Sequence, residues 1–351
     1  MKSVNIFFLL RLKRLIRRFL NDHAFEVTYL IRDECPIEIE SKTNGIYAES
    51  HFAETYDPRS QLNVGHYFNT RFEYELHNVI LEPVQGLIYS SKGKLLAEST
   101  AWPFFQLYSS FPLKPKFRNL INIEDKSILL SSNSYGHWLT EDLGAFLHLA
   151  EKFPGALIVT SSKAPKYVRD LLKHLNREVR YLDGLTRMSN LYFIGKGQDI
   201  GWMNKVDLEK ITESKYLRDF HSREEPTKLI YASRRYVKRS PSNEQEFERV
   251  LEGLGFEIHI LEKMDYLEEI SLVSKARLFV SVHGSSHLNS IFMKEGTQVL
   301  DIVNDKYWTE LGHRINHLRH QNYHFATYAG NENDPIDISK LEEYIRLILP
   351  T

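Results

Sequence analysis

Two stretches in the second half of the chain combine residue types that suit anion binding. Arg234 and Arg235 follow the apolar run LIYAS, and His283-Gly284-Ser285-Ser286 follows the run LFVSV. Guanidinium groups grip phosphates through paired hydrogen bonds, and a glycine lets a phosphate approach the backbone. We therefore expect Arg235 and the His283 turn to bind a diphosphate. The alternatives are a solvated basic loop and a tight turn without a ligand.

A third stretch, YGHWLTEDLGAF, carries groups that could move a proton. His137 and Glu141 are four residues apart, so they share one face if the stretch is helical. A histidine and a carboxylate placed in this way could act as a general base and its orienting partner, and Asp142 follows directly. The alternative is helix capping, in which Ser134 caps and the acids favour the helix N-terminus. His137 and Glu141 could also hold a metal ion, but no third ligand occurs at an informative spacing.

The flanking sequence predicts how these groups are positioned. Residues 278–282 form a short apolar run that is typical of a buried parallel strand. A helix is expected to start near Ser286 and to end at Gly296, and residues 298–303 read as the next strand. Ligands bind outside the carboxyl ends of strands in open α/β sheets. Both donor-rich turns would lie on that edge of one sheet.

Two parts of the chain have the alternation of strands and helices that is typical of α/β folds. Residues 127–200 and residues 227–303 each alternate short apolar runs with amphipathic stretches, which predicts parallel sheets with helices on their faces. Residues 25–115 look β-rich and irregular, and a polar linker ends at Pro226. We expect two doubly wound α/β halves that face a cleft, over residues 23–225 and 226–351, with the β-rich part as an N-terminal elaboration.

The composition sets limits on function. A chain of 351 residues has room for two domains. The formal net charge of −1 gives no global basic signature for nucleic acid, so we expect no nucleic-acid partner. Cys35 is the single cysteine, which excludes an internal disulfide and a multi-cysteine zinc site.

Residues 1–22 are expected to form a basic amphipathic helix. Over residues 6–20, leucine, isoleucine and phenylalanine fall on one helical face and five arginine and lysine residues fall on the other. Such a helix lies on an anionic membrane surface. The apolar run over residues 6–10 is too short to span a bilayer. The alternative is a surface helix that packs on the protein and leaves its arginines in water.

Three motifs together resemble glycosyltransferase family 61, in order and spacing, over roughly residues 125–303. They are NSYGHWLTEDLGAF, YASRRYVKRSPSNEQEF and VSVHGSSHLNSIFMKEGTQVLDI. The likeness is greatest to the bacterial branch described as capsular polysaccharide biosynthesis proteins. The resemblance implies a GT-B architecture, with residues 23–225 on the acceptor side and residues 226–351 binding the nucleotide sugar. It also implies inverting, metal-independent transfer, usually from a UDP-sugar, to a glycan acceptor, which can be free or lipid-linked.

The resemblance also assigns roles residue by residue. Among the catalytic candidates it places Asp142 first, and His137 and Glu141 remain alternatives. The expected donor-binding residues, from the resemblance and the turn chemistry together, are Arg234, Arg235, His283, Gly284, Ser285, Ser286, Asn289 and Asp301. The chain departs from the family twice: Ser285-Ser286-His287 replaces Ala-Gly-Leu, and Asp142-Leu143-Gly144-Ala145 replaces an acid followed by Leu-Pro-Arg. We expect no metal and no other cofactor, and a cytoplasmic enzyme peripheral to the inner face of the plasma membrane.

Two other functions compete with this interpretation. One is a non-catalytic protein that binds a sugar nucleotide or a glycan on the same fold, for which the altered His283 turn would be the signature. The other is a nicotinamide-dependent oxidoreductase. The chain has no G-x-G-x-x-G fingerprint after an early strand, which counts against dinucleotide binding.

Overall fold

The computed structural model describes residues 37–42, 68–91, 96, 99, 120–195, 203, 205–306 and 311–349. The predicted amphipathic helix, and with it the membrane-binding residues 6–20, lies outside the described residues. Contacts between Cα atoms divide the chain into two compact units. The described residues from 37 to 210 belong to the first unit and those from 211 to 349 to the second. Within the described ranges, no helix has the length and hydropathy needed to cross a bilayer.

The strands are β1 (Ile37–Lys42), β2 (Phe68–Glu82), β3 (Leu87–Tyr89), β4 (Asn122–Leu129), β5 (Leu157–Ser161), β6 (Val179–Leu182), β7 (Thr186–Ile194), β8 (Lys228–Ala232), β9 (Glu257–His259), β10 (Ala276–Val282), β11 (Gln298–Asn304) and β12 (Asn322–Tyr328). Helix α1 has three consecutive segments, Tyr135–His137, Trp138–Asp142 and Leu143–Lys152. The other α-helices are α2 (Lys166–Leu175), α3 (Lys205–Glu213), α4 (Glu244–Gly253), α5 (Tyr266–Val273), α6 (Leu311–Leu318) and α7 (Ile338–Ile348). Short 3-10 helices cover Arg218–Phe220, Leu261–Lys263 and Ser285–Phe292.

The first unit contains one mixed sheet in the order β1-β2-β7-β4-β5-β6, with β3 paired to β2. Strands β7, β4, β5 and β6 are parallel, whereas β1 and β3 pair antiparallel with β2, which pairs antiparallel with β7. The predicted alternation of strands and helices is confirmed over residues 127–194. The described strands of the β-rich N-terminal part join this same sheet at its β7 side.

Helix α1 carries the candidate proton-transfer residues, and a π-helical turn interrupts it. The turn spans Trp138–Asp142, and Glu141 and Asp142 are buried in it. Trp138, Leu139 and Leu143 are completely buried, so the apolar face of the predicted helix packs inward as expected. Single π turns inside α-helices are frequent at functional sites. The periodicity of the sequence predicted the helix but not this turn.

Gly144 stands where the family pattern has proline, and it lies where α1 meets α3. A Cβ atom at this position would fall 2.6 Å from Cβ and 2.7 Å from Cα and the carbonyl oxygen of Asp207. Non-bonded atoms do not approach a Cβ atom this closely, so a side chain at position 144 would force the backbone of α1 or α3 to shift. The close approach of α3 therefore requires a glycine here and leaves no room for the proline that the family usually has.

We expect Gly144→Ala to lower the free energy of unfolding by about 1–3 kcal/mol, because the added methyl group overpacks the contact with Asp207. Urea denaturation measures this change. Gly155→Ala is the matched control, since a Cβ at Gly155 meets no atom within 4 Å. Equal stability of Gly144→Ala and Gly155→Ala would show that α1 and α3 do not pack as described.

The second unit contains a parallel sheet in the order β9-β8-β10-β11-β12. Tyr231, Val280 and Leu300 belong to the core on the face that packs with α4 and α7, and Phe279 and Val299 to the core on the other face. Buried positions on both faces explain why these strands read as continuous apolar runs. The predicted α/β class is confirmed in both units. A cleft between two facing domains stays a prediction.

The strand order of the second unit also defines where a ligand is expected. The chain runs from β8 outward to β9, and then returns to the other side of β8 to form β10. Such a reversal is a topological switch point, and ligands of doubly wound sheets bind in the crevice outside the carboxyl ends of the two strands. The carboxyl ends of β8 and β10 lead into Arg234 and His283, which the sequence analysis selected for their chemistry.

Candidate functional site

Arg234 and Gly284 meet at the switch point of the second unit. A Cβ atom at Gly284 would overlap Nη1 of Arg234, so the guanidinium lies directly against this glycine. Gly284 has extended backbone angles (φ 161°, ψ −171°), which any residue could adopt. The close approach of the guanidinium, and not the backbone angle, therefore requires a glycine. The structure brings together the two donor-rich turns that the sequence placed on one sheet edge.

The guanidinium of Arg234 is buried and forms no ion pair within the described part of the chain. The residue is 6% exposed, and its Nε donates a hydrogen bond to the carbonyl oxygen of Arg239 at 3.0 Å. Among the described residues, no carboxylate forms an ion pair with it. Burial and the positive charge of Arg239 lower the pKa of Arg234, although Glu262 and Glu244 act in the opposite direction. A buried cation without a partner is costly, so this site would gain from binding an anion.

Arg235 differs from its neighbour in both exposure and pairing. Its Nε lies 3.2 Å from Oε1 of Glu248, and its side chain is 32% exposed. Glu248 also accepts a hydrogen bond from the hydroxyl of Ser233 at 2.5 Å. Because its charge is already compensated within the unit, Arg235 is a weaker anion site than Arg234. From the sequence we expected Arg235 to bind the diphosphate, whereas burial and pairing in the structure favour its neighbour Arg234.

His283 is held in place by a buried carboxylate. Its Nδ1 donates to Oδ2 of Asp301 at 2.7 Å, and the hydroxyl of Tyr323 donates to the same oxygen at 2.9 Å. Burial alone would raise the pKa of Asp301, but the charges of His283 and His287 and these hydrogen bonds lower it to about 2. Asp301 is therefore a charged group that orients His283. Because Asp301 is fully buried, the expected role in donor binding falls to His283 rather than to Asp301 itself.

His287 and Tyr323 are functional candidates that the sequence analysis did not select. Nδ1 of His287 contacts the carbonyl oxygen of Gly284, and its Nε2 lies 3.8 Å from Oδ2 of Asp301. Burial lowers the pKa of His287, although the charge of Asp301 opposes this effect. A Cβ at Gly312 would overlap Nε2, so Gly312 makes room for this ring. The sequence feature that could have identified His287 is the histidine itself, because the family pattern has leucine at this position.

His283, His287 and Asp301 are the one group of three within the described residues whose ligand atoms could surround a metal ion. These atoms lie within 4.8 Å of one another. Two features fit a metal poorly. Oδ2 of Asp301 already accepts two hydrogen bonds, and the backbone of Gly312 covers Nε2 of His287. The hydrogen bonds to Oδ2 form a network, whereas Oδ1 of Asp301 and Nε2 of His287 have no hydrogen-bond partner among the described residues.

The remaining expected donor-binding residues lie in the 3-10 helix Ser285–Phe292. Ser285 is half-buried, and Ser286 is 8% exposed with no hydrogen-bond partner for its hydroxyl among the described residues. Asn289 is completely buried, and its amide donates to Oε1 of Glu269 at 2.9 Å. The two serines thus belong to the turn that meets Arg234, whereas the side chain of Asn289 is bound inside the unit.

In the first unit, His137 and Glu141 form a hydrogen-bonded pair. Nδ1 of His137 lies 2.5 Å from Oε1 of Glu141, and the side chains are 36% and 6% exposed. The buried carboxylate fixes the ring and accepts from Nδ1, which leaves Nε2 as the nitrogen that can take a proton. The structure therefore contains the predicted pairing of a histidine with an orienting acid.

Asp142, the other catalytic candidate, points into a small cavity. Its Oδ2 accepts hydrogen bonds from Ser131 at 2.5 Å and from Asn133 at 3.1 Å, and the residue is 9% exposed. The cavity has a volume of about 30 Å³ and lies at the carboxyl ends of β4 and β7, where Leu129 and Ile194 contribute to its wall. This volume suits a water molecule and is too small for a sugar. Of the three candidates, His137 is the most exposed.

Comparison with known families agrees with the site. Residues 135–300, slightly less than half of the chain, match the model of the family described as Glycosyltransferase 61. The matched stretch contains the His137 pair, Arg234, Arg235 and the His283 turn, and it ends one residue before Asp301. This match supports glycosyltransferase family 61 and, with it, a glycosyltransferase that takes a donor and an acceptor substrate. A search of curated proteins found no match to the chain.

Proposed function

We propose that this protein is an inverting, metal-independent glycosyltransferase of the hexosyl- or pentosyltransferase class. It moves a sugar from a nucleotide-diphosphate donor, a UDP-sugar, to a glycan acceptor in cell-surface polysaccharide biosynthesis of the bacterial capsular type. The observation that carries the proposal is the buried guanidinium of Arg234, which lies against Gly284 at the switch point of a parallel sheet and forms no ion pair with a described carboxylate. A diphosphate supplies the charge that this site lacks.

The groups around the switch point bind the donor and stabilise its leaving group. As the bond between the anomeric carbon and the diphosphate oxygen breaks, negative charge grows on the leaving group. Arg234, His283 and the hydroxyl of Ser286 are the donors that stabilise this charge in a buried setting, where such interactions are strongest. Arg235 adds a longer-range positive charge. A metal ion is not required for this step, because the protein supplies the positive charge.

The acceptor end uses His137 as the general base. The acceptor hydroxyl oxygen attacks the anomeric carbon, and its proton passes to Nε2 of His137 while Glu141 holds Nδ1. A single displacement inverts the anomeric configuration and needs no nucleophilic serine or cysteine. Both sets of residues must meet at one donor, and the GT-B arrangement of two Rossmann-like domains around a cleft is part of this proposal.

One observation favours a second candidate, a non-catalytic protein that binds a sugar nucleotide or a glycan. The His283 turn lacks the second glycine of the family pattern, and Ser286 stands in its place. Release of free nucleotide from UDP-sugars, measured with and without a glycan acceptor, distinguishes the two functions. A panel of UDP-glucose, UDP-galactose, UDP-N-acetylglucosamine and UDP-xylose, each with EDTA, should include one donor that raises the melting temperature and from which nucleotide is released. Stabilisation without release from any donor would favour the binding protein.

We also propose that residues 6–20 attach the protein to the cytoplasmic face of the plasma membrane. The sequence supports this through its basic helical face, which would meet anionic lipid while the apolar face enters the interface. The full chain should float with vesicles of phosphatidylglycerol and phosphatidylcholine at low salt and dissociate as salt rises, because the attraction is screened. A deletion of residues 1–20 should not float. Equal flotation of the two proteins would rule this attachment out.

A further inference from the structure

Tyr236 is an exposed aromatic ring on the loop that also carries Arg234. The residue is 63% exposed, which is unusual for an aromatic side chain, and it lies two positions after the buried guanidinium. An exposed aromatic ring beside an anion site is the arrangement that stacks on a planar group attached to a phosphate.

The loop that carries Tyr236 is closed by its own hydrogen bonds. The backbone N–H of Val237 donates to the carbonyl oxygen of Arg234 at 3.0 Å, and Nε of Arg234 donates to the carbonyl oxygen of Arg239 at 3.0 Å. Because Arg234 makes both contacts, the anion-binding residue also fixes the path of the backbone through Tyr236. The ring and the guanidinium therefore keep a defined relation to each other.

Lys263 further orients the ring. Its Nζ lies 3.4 Å from the centroid of the Tyr236 ring, and Cζ of Arg235 lies 6.0 Å from the same centroid. Lys263 ends the 3-10 helix Leu261–Lys263 that follows β9, the edge strand beside β8. The ring thus links the loops after β8 and β9, next to the switch point. Two cations near the ring also make this surface suitable for an anionic ligand.

We infer that Tyr236 stacks on the nucleobase of the donor, so that the loop after β8 binds both the diphosphate and the base. This inference rests on the proposed function, because it assigns the base of the nucleotide whose diphosphate occupies the Arg234 site. Stacking recognises the flat face of a base and requires no matched hydrogen-bonding groups. Tyr236 would therefore strengthen nucleotide binding while leaving the choice of base to other residues.

The experiment compares UDP with inorganic pyrophosphate, which has the same two linked phosphates and no base. Calorimetry should show that Tyr236→Ala weakens UDP binding by roughly tenfold or more and leaves pyrophosphate binding unchanged, since stacking on one base has about this effect. Tyr236→Phe keeps the ring and should bind UDP as the wild type does. Tyr181→Ala is the matched control, because Tyr181 is also exposed (46%) with an arginine near its ring, but belongs to the first unit.

Two results would overturn this inference alone, and a third, seen in the wild-type measurement, would overturn the proposed function together with it. Unchanged UDP binding in Tyr236→Ala would exclude stacking. Equal weakening of UDP and pyrophosphate would mean that Tyr236 only supports the loop. If the wild-type protein binds neither UDP nor pyrophosphate, the Arg234 site is not a diphosphate site, and the proposed function and this inference both fail.

Discussion

Replacing Arg234 with alanine is expected to weaken the binding of UDP by roughly 10- to 150-fold. A hydrogen bond to a charged group contributes about 1.5–3 kcal/mol, and Arg234 would contribute it from a buried position in which none of the described carboxylates forms an ion pair with its guanidinium. Isothermal titration calorimetry measures the change directly. The effect should exceed that of Arg235→Ala, because Arg235 is already paired with Glu248 at 3.2 Å.

Two further variants separate charge from packing. Arg234→Met keeps most of the volume and removes a buried charge that forms no ion pair among the described residues, so the free protein should unfold at the same urea concentration as the wild type or at a higher one. Arg234→Lys keeps the charge but loses the paired hydrogen bonds and should bind UDP with intermediate affinity. The assignment would be wrong if Arg235→Ala weakened UDP binding and Arg234→Met did not.

Replacing His137 with alanine is expected to lower turnover by roughly 10²–10⁴-fold and to leave UDP binding unchanged, because a general base acts only in the chemical step. Glu141→Gln should have a smaller effect and should change the dependence of turnover on pH, since a glutamine can still accept from Nδ1 but carries no charge. Initial rates of nucleotide release, together with the Kd for UDP, provide both readouts.

Asp142→Asn is the comparison that decides between the two candidate bases. The resemblance to the family placed Asp142 first, whereas the structure directs its carboxylate to Ser131 and Asn133 beside a cavity of about 30 Å³. We therefore expect Asp142→Asn to lower the free energy of unfolding and to leave the turnover of the folded protein close to that of the wild type. If Asp142→Asn abolished turnover in a stably folded protein while His137→Ala remained active, the base would be Asp142.

The sequence predicted the elements of the second unit well, and physical reasons explain where it stopped. Strands β8, β10 and β11 are buried on both faces and therefore stand out as apolar runs. Strand β12 was not predicted from the sequence, because Asn322 and His324 interrupt its apolar residues. The hydroxyl of Tyr323 in this strand donates to Asp301 at 2.9 Å. Polar residues that serve such contacts interrupt the apolar pattern by which a buried strand is predicted.

The site was predicted in its chemistry but not in its assignment of roles. Arg234 and Arg235 are neighbours in the sequence, yet adjacent side chains at a strand end point to opposite sides, and only one lies against Gly284. The fit of His287 against Gly312 joins two segments that are distant in the sequence, which a single sequence does not reveal. The π turn in α1 likewise has no periodic signature. These features follow from tertiary packing rather than from local pattern.

Nucleotide release from a UDP-sugar tests the central claim most directly. It is measured in the presence of EDTA, with and without a glycan acceptor, for the wild type, Arg234→Met and His137→Ala. We expect at least one donor in the panel to release UDP with the wild type, with a raised KM in Arg234→Met and a lowered kcat in His137→Ala. A wild-type protein that binds UDP-sugars and releases no nucleotide, or variants whose rates equal the wild-type rate, would contradict a glycosyltransferase built on these two sites.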